Sequence, residues 1–283
     1  MQKNVWIFFG FAVVIGACGG GRTTAATQPT PAAFDPAKSD EKAIAAVDGM
    51  LTALGGIEAW NDVKQISWEQ KYIRDGNMTA WFKHSWDRWN GRHRFDEANM
   101  ESYTESMGKE GNPSKTKWLT AMYDLFDHEG KGSAMFGTNQ LLKKDRDTVV
   151  ANAHKAWQAD SYRLAGHYKL KDPGAQLALD TEVSNVQDKY CSPSCDVIKV
   201  TFDPAVGEDT YYVSINSQSK MPEIYEKVMK EGRIGFAVLD WVDVDGMKFA
   251  TKFQNLGLEG EVFQIENIRV GEPDDALYIP QVR

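Results

Sequence analysis

The chain has 283 residues, 42% of them hydrophobic, and a formal charge of −8. That is enough apolar residue for a well-buried core, while the acidic balance excludes nucleic acid as a partner and electrostatic docking on anionic lipid as the route to a membrane. The sequence holds no Gly-x-Ser-x-Gly elbow, no phosphate-cradling glycine loop and no His-Glu-x-x-His helix, so no catalytic residue, cofactor or metal is expected.

The first 17 residues read as a signal peptide. Lys3 supplies the positive start, and 5–17 is an uncharged run. It is too short for a lasting membrane helix, which needs roughly 20 apolar residues. Ile15-Gly16-Ala17-Cys18 resembles the lipobox of bacterial lipoproteins. The resemblance implies cleavage before Cys18, lipidation of its thiol by palmitate-type chains, and a membrane as partner through that anchor. Each buried methylene of such a chain contributes about 0.8 kcal/mol. Gly19, rather than Asp, follows the cysteine, and by resemblance to the enterobacterial sorting rule this implies the periplasmic face of the outer membrane. Residues 18–39 are rich in Gly, Thr, Ala and Pro and read as a flexible tether. Residues 40–283 read as one domain.

A helix opens that domain, capped by Ser39 or Asp40, with Ile44, Val47, Leu51 and Leu54 on one face and Gly55-Gly56 as its stop. After Trp60 the period changes to two. Ile66, Trp68 and Tyr72 alternate, Asp75-Gly76 turns the chain, and Met78, Ala80, Phe82 and Trp86 alternate on the return. Strands are expected at 117–123 and 133–136, a helix at 145–157, and strands at 161–170, 177–183, 196–202 and 210–215. The stretch 222–231 reads as a short helix with Pro near its first turn. Strands at 235–244, 247–255 and 262–270 close the chain, the first two joined by Asp245-Gly246. The fold class is mainly β with a few α-helices: a curved antiparallel sheet or unclosed β-barrel capped by helices.

Cys191 and Cys195 flank Ser-Pro-Ser and read as a structural disulfide, since two thiols without a nearby His make a poor zinc site. His84, His93, His128, His154 and His167 are scattered; His84 shares a strand face with Trp86, yet it reads first as a core or surface histidine. Asp240, Asp243, Asp245 and Gly246 do not fall at calcium-loop positions and read as a hairpin turn. The most informative feature is aromatic. Strand parity puts Trp68, Tyr72, Phe82 and Trp86 on one face and Trp81 on the other. Each ring removes roughly 150–250 Å² from water when buried, so these rings are either core or the lining of a concave face that holds an acyl chain or stacks on a sugar.

Ala53-Leu54-Gly55-Gly56 with Trp60, Ile66 and Trp68, and the run from Tyr168 through Lys169-Leu170-Lys171-Asp172-Pro173 to Gly174, resemble a group of uncharacterised bacterial lipoproteins, and the end, with the strand pair about Asp245-Gly246 and a last strand near 265–270, is similar to the lipoprotein-carrier and receptor fold (LolA/LolB-like). That resemblance implies an unclosed antiparallel barrel with an apolar cavity for acyl chains. The expected function is therefore non-enzymatic binding of a lipid or lipoprotein, with Trp68, Tyr72, Phe82 and Trp86 lining the face and Phe249 and Phe253 opposite. The alternatives are a structural or interaction lipoprotein with a filled core, and an envelope glycan hydrolase, which needs two carboxylates at catalytic separation.

Overall fold

The computed structural model describes residues 34–127, 132–180, 187–203 and 209–279. The signal peptide, Cys18, the tether up to residue 33 and His128 lie outside the described residues. In chain order the elements are α1 (Glu41–Ala53), α2 (Ile57–Asp62), β1 (Gln65–Arg74), β2 (Asn77–Asp87), β3 (Arg92–Ala98), α3 (Met100–Glu110), β4 (Trp118–Asp124), β5 (Gly132–Phe136) and β6 (Asn139–Gln140). They continue as α4 (Lys143–Ala165), β7 (Ala175–Asp180), α5 (Gln187–Tyr190), β8 (Cys195–Phe202), β9 (Tyr211–Asn216), β10 (Pro222–Met229), β11 (Gly232–Val244), β12 (Met247–Asn255) and β13 (Glu261–Gly271). The strand order is β6-β5-β4-β3-β2-β1-β13-β12-β11-β10-β9-β8-β7, so the sheet has two end strands and is not closed. The fold is mainly β, antiparallel and unclosed, as the alternating pattern predicts.

The chain divides into two compact units, Met1–Met50 with Lys169–Gly235 and Leu51–Tyr168 with Phe236–Arg283. In the first, Ala43, Val47 and Met50 of α1 are buried, as are Leu177, Ile198, Val213, Ile215 and Ile224 of β7 to β10. Asp40 caps α1, its carboxylate accepting from the Lys42 amide at 2.8 Å. Cys191 and Cys195 form a disulfide.

The second unit carries the two Asp-Gly hairpins. Asp75 and Gly76 have φ of 49° and 78°, and Asp245 and Gly246 have 51° and 80°. Two consecutive positive φ angles are what a two-residue type I′ turn requires. Register shifts beside Trp68, at Tyr72/Ile73 and between Val238 and Trp241 interrupt the ladders. Such bulges bend strands, and α4 packs on the bent sheet against β4, β5 and β12.

Two elements correct the sequence reading. The stretch 222–231 is not a helix: Pro222, Ile224 and Glu226 are buried alternately with half-exposed neighbours, which is strand parity. Asn216 makes the hairpin possible by accepting from the amides of Gln218 and Ser219. The stretch 161–170 is not a strand: α4 runs on to Ala165 and a 3-10 turn follows over Gly166–Lys169. Asp160, Ser161, Leu164 and Ala165 are buried at helical spacing there, so tertiary contacts extend the helix. β3 and α3 were not expected from the pattern. Asn99 caps α3 through the Ser102 amide, and Gly111 ends it in the left-handed conformation.

Candidate functional site: an aromatic sheet face under a polar helix

Alternation on β1 sends Ile66, Trp68, Gln70 and Tyr72 to one face of the larger unit. Register brings Trp68 opposite His84, Gln70 opposite Phe82 and Ile66 opposite Trp86 on β2. β3 continues that face with His93 and Phe95, and β4 with Ala121 and Tyr123, through the pairs Trp86–His93, His84–Phe95, His93–Tyr123 and Phe95–Ala121. The rings interlock. Trp68 stacks on His84 with centroids 4.3 Å apart and planes 5° from parallel. Tyr72 meets Phe82 and Phe263 edge-on at 5.5 and 4.7 Å.

Helix α4 covers this face. Val150 and Ala153 join Phe95, Ala121 and Tyr123 in an apolar cluster, and Trp157 meets Trp86 edge-on at 5.2 Å. Further along, the fully buried positions are Asp160 and Ser161 before Leu164 is reached. The middle of the helix is thus seated through polar groups, and Asp160 is the hub. Its Oδ1 accepts from Gln70 Nε2 at 2.8 Å, Tyr72 OH at 2.7 Å and an Arg163 guanidinium nitrogen at 2.7 Å. Its Oδ2 lies 3.2 Å from His84 Nε2, close enough for a charge contact but off the hydrogen-bond line. His84 Nδ1 stands 3.3 Å from His93 Nε2, and His93 Nδ1 is 2.9 Å from Tyr123 OH.

These contacts set the ionisation. Burial pushes the Asp160 carboxyl up, but His84, Arg163 and Tyr72 outweigh it and hold the group below its ordinary value. Burial, then His84 and His154, drive His93 well below the ordinary imidazole value. Burial, then Asp160, raises Tyr72 and Tyr123 above the usual phenol range. Several buried atoms have no hydrogen-bond partner among the described residues: Trp68 Nε1, Gln70 Oε1, Trp157 Nε1 and Arg163 Nε.

Of the residues singled out in the sequence, Trp68, Tyr72, Phe82 and Trp86 share the face under α4. Trp68 is 1% and Trp86 9% exposed, while Tyr72 and Phe82 are half-buried. Phe253 joins them through its register with Phe263. Phe249 lies elsewhere, against Trp60, Tyr168 and His167. Gln70, His93, Tyr123, Asp160 and Arg163 were not singled out. A signal existed for Asp160, which continues the helical stripe Val150, Ala153, Trp157 by three residues. On the opposite sheet face Trp81 packs with Trp118 and Tyr103, and Lys83 sits over Trp81 and Trp118. Among the described residues no group of three or more His, Cys, Asp or Glu could hold a metal ion, and no helix is long and apolar enough to cross a membrane.

No family model matches the sequence, and no curated protein does. Solved structures do match in fold. A DUF1329 family protein from Desulfovibrio piger superposes with a TM-score of 0.42 at 12% identity, over 85% of this chain and 98% of its own. A LolA superfamily protein from Nitrosomonas europaea gives 0.42 at 9%, over 83% and 96%. A domain assigned to outer membrane lipoprotein sorting, from Vibrio parahaemolyticus, gives 0.41 at 8%, over 84% and 96%.

Proposed function

We propose that this chain is an envelope protein, lipid-anchored at Cys18, that binds the apolar part of an amphiphile without catalysis on the aromatic face beneath α4. The supporting observation is how α4 is held. The face is covered by a helix that packs on it through Val150, Ala153 and Trp157 and is seated beyond them through one buried carboxylate, and several buried polar atoms of this layer have no hydrogen-bond partner among the described residues. A buried group left unpaired costs about 1–3 kcal/mol, which favours displacement of the cover. With α4 raised, Trp68, Tyr72, Phe82, Trp86 and Phe253 would offer apolar rings and few polar groups, which suits an acyl chain.

A second reading has its own observation. Trp68, Ile66, Phe253 and Phe263 are at most 4% exposed, so the face is already packed as a core, as an interaction lipoprotein without a ligand would have it. Native mass spectrometry of the chain from Gly19 onward separates the two. On the binding reading, added palmitate gives one bound chain per protein, and Asp160→Asn, which loosens the cover, increases the bound fraction. An unloaded mass for both proteins at saturating palmitate sinks the binding reading in favour of the packed core.

A further inference from the structure

The two imidazoles under α4 form a contact with room for a single hydrogen. In one arrangement, with both imidazoles neutral, Tyr123 OH donates to His93 Nδ1 and His93 Nε2–H donates to His84 Nδ1, while His84 Nε2–H lies 3.2 Å from Asp160 Oδ2 off the hydrogen-bond line. In the other, which holds one proton more, His84 carries both its protons, its Nδ1–H donates to His93 Nε2, and His93 Nδ1–H donates to Tyr123. Both satisfy the His84–His93–Tyr123 contacts. A second proton on the pair satisfies neither, because two N–H groups would then point at each other across 3.3 Å, with like charges added.

The titratable and charged groups meeting the pair are few. They are Tyr72 on β1, Tyr123 on β4, and His154, Asp160 and Arg163 on α4. Asp160 is the single anion and already faces Arg163 at 2.7 Å. Nothing among these groups neutralises a second imidazolium. His93 is 0% exposed, and the side chains over it belong to α4: Trp157 lies 6.2 Å from its ring, and His154 lies 5.9 Å from that of Tyr123. On that side α4 shuts His93 from water.

We propose that the His84–His93 pair is an acid-operated release for α4: uptake of a second proton breaks the 3.3 Å contact and raises the helix around 153–160 from the aromatic face. In vivo the trigger would be acidification of the compartment, and the effect would be exposure of the ring-lined face. The functional meaning of that exposure rests on the amphiphile-binding reading; the release itself does not. Burial keeps His93 neutral at pH 7, so the transition lies below the ordinary imidazole value of about 6.5.

The test is hydrogen exchange followed by mass spectrometry on the full chain between pH 7 and pH 5, corrected for intrinsic chemical rates and without any lipid ligand. Peptides from 143–165 should lose protection progressively as pH falls below the onset, and more than peptides from 195–216. His93→Gln, which cannot take the second proton, should keep α4 protected at pH 5. The proposal is overturned by unchanged α4 protection, by a loss no larger than in 195–216, or by a variant that opens like the parent. If the variant does not fold, imidazole titration of the parent by NMR decides. Proton uptake by the pair at the pH where α4 opens supports the release, and uptake that leaves α4 protected sinks it. Failure of lipid binding with intact acid release would remove only the amphiphile reading.

Discussion

Replacing Asp160 by Asn keeps the side chain's shape and removes the charge facing Arg163 and His84. Breaking a buried pair by neutralising one partner costs about 3–5 kcal/mol; Arg163 is partly solvated, so a loss of about 3 kcal/mol is expected in urea unfolding. The exposed Lys109–Glu105 pair on α3 provides the contrast. Lys109→Ala should leave the urea midpoint essentially where it is. Equal effects at the two sites would mean that Asp160 does not organise the covered face. The ring residues of that face were legible from parity alone, because Trp68, Tyr72, Phe82 and Trp86 sit on adjacent strands joined by a readable turn. The polar hub was not. Asp160 meets Gln70 and Tyr72 across 90 and 88 residues of chain, and no local pattern encodes a contact of that range.

Several of the elements that carry the sequence resemblances, Leu54 to Trp60, Tyr168 and the start of β12, form a wedge in the larger unit. β12 pairs with β13 only over 252–254 against 262–264. Ahead of that ladder, the Lys248 amide donates to the Leu54 carbonyl at 2.9 Å, and Tyr168 OH donates to the carbonyls of Leu54 and Lys248. Trp60 stacks on Tyr168 at 5.2 Å. Gly55 follows with φ +107°, and a Cβ there would stand 2.1 Å from the Gly246 carbonyl oxygen. Gly55→Ala should therefore cost about 3 kcal/mol, the strained φ contributing about 1–3 of it, and thermal melting would show it. Gly76→Ala, with open space around its Cβ, should cost only about 1 kcal/mol; a Gly55→Ala loss no larger than that would argue against the wedge. The Asp-Gly hairpins and the closing strands were readable because turn chemistry and alternation agree there. β10 was misread because Pro-Glu-Ile-Tyr-Glu-Lys carries helix-start chemistry on a strand that pairs with β9. The end of α4 was misread because burial of Asp160 and Ser161, rather than an apolar stripe, extends it.

At the scale of the whole molecule, length and alternation made the β class legible. The division into two units was not, since each unit is assembled from stretches far apart in the sequence and no linker composition marks the joins. Charge sets a further property. His93, His154 and His167 all have folded-state values lowered by burial, His167 to about 3. A histidine kept neutral by the fold takes up protons in the unfolded chain first. Its contribution to stability is therefore complete above about pH 6.5 and is lost as pH falls below it. For His167 the loss is about 1.4 kcal/mol per pH unit down to its folded value, or about 2 kcal/mol between pH 6.5 and 5; His93 adds in the same direction. Asp160, held low in the fold, contributes stability that persists above its unfolded value of about 3.9 and fails only at lower pH. Acid unfolding should thus begin in the histidine range, ahead of the carboxylates, with the urea midpoint falling from pH 6.5 to 5. His167→Gln should flatten that slope by about one proton while His154→Gln changes it less, because His154 is only partly buried. A midpoint that stays level down to pH 4.5 would show that these imidazoles reach water in the folded chain, and that the packing above them is looser than their burial implies.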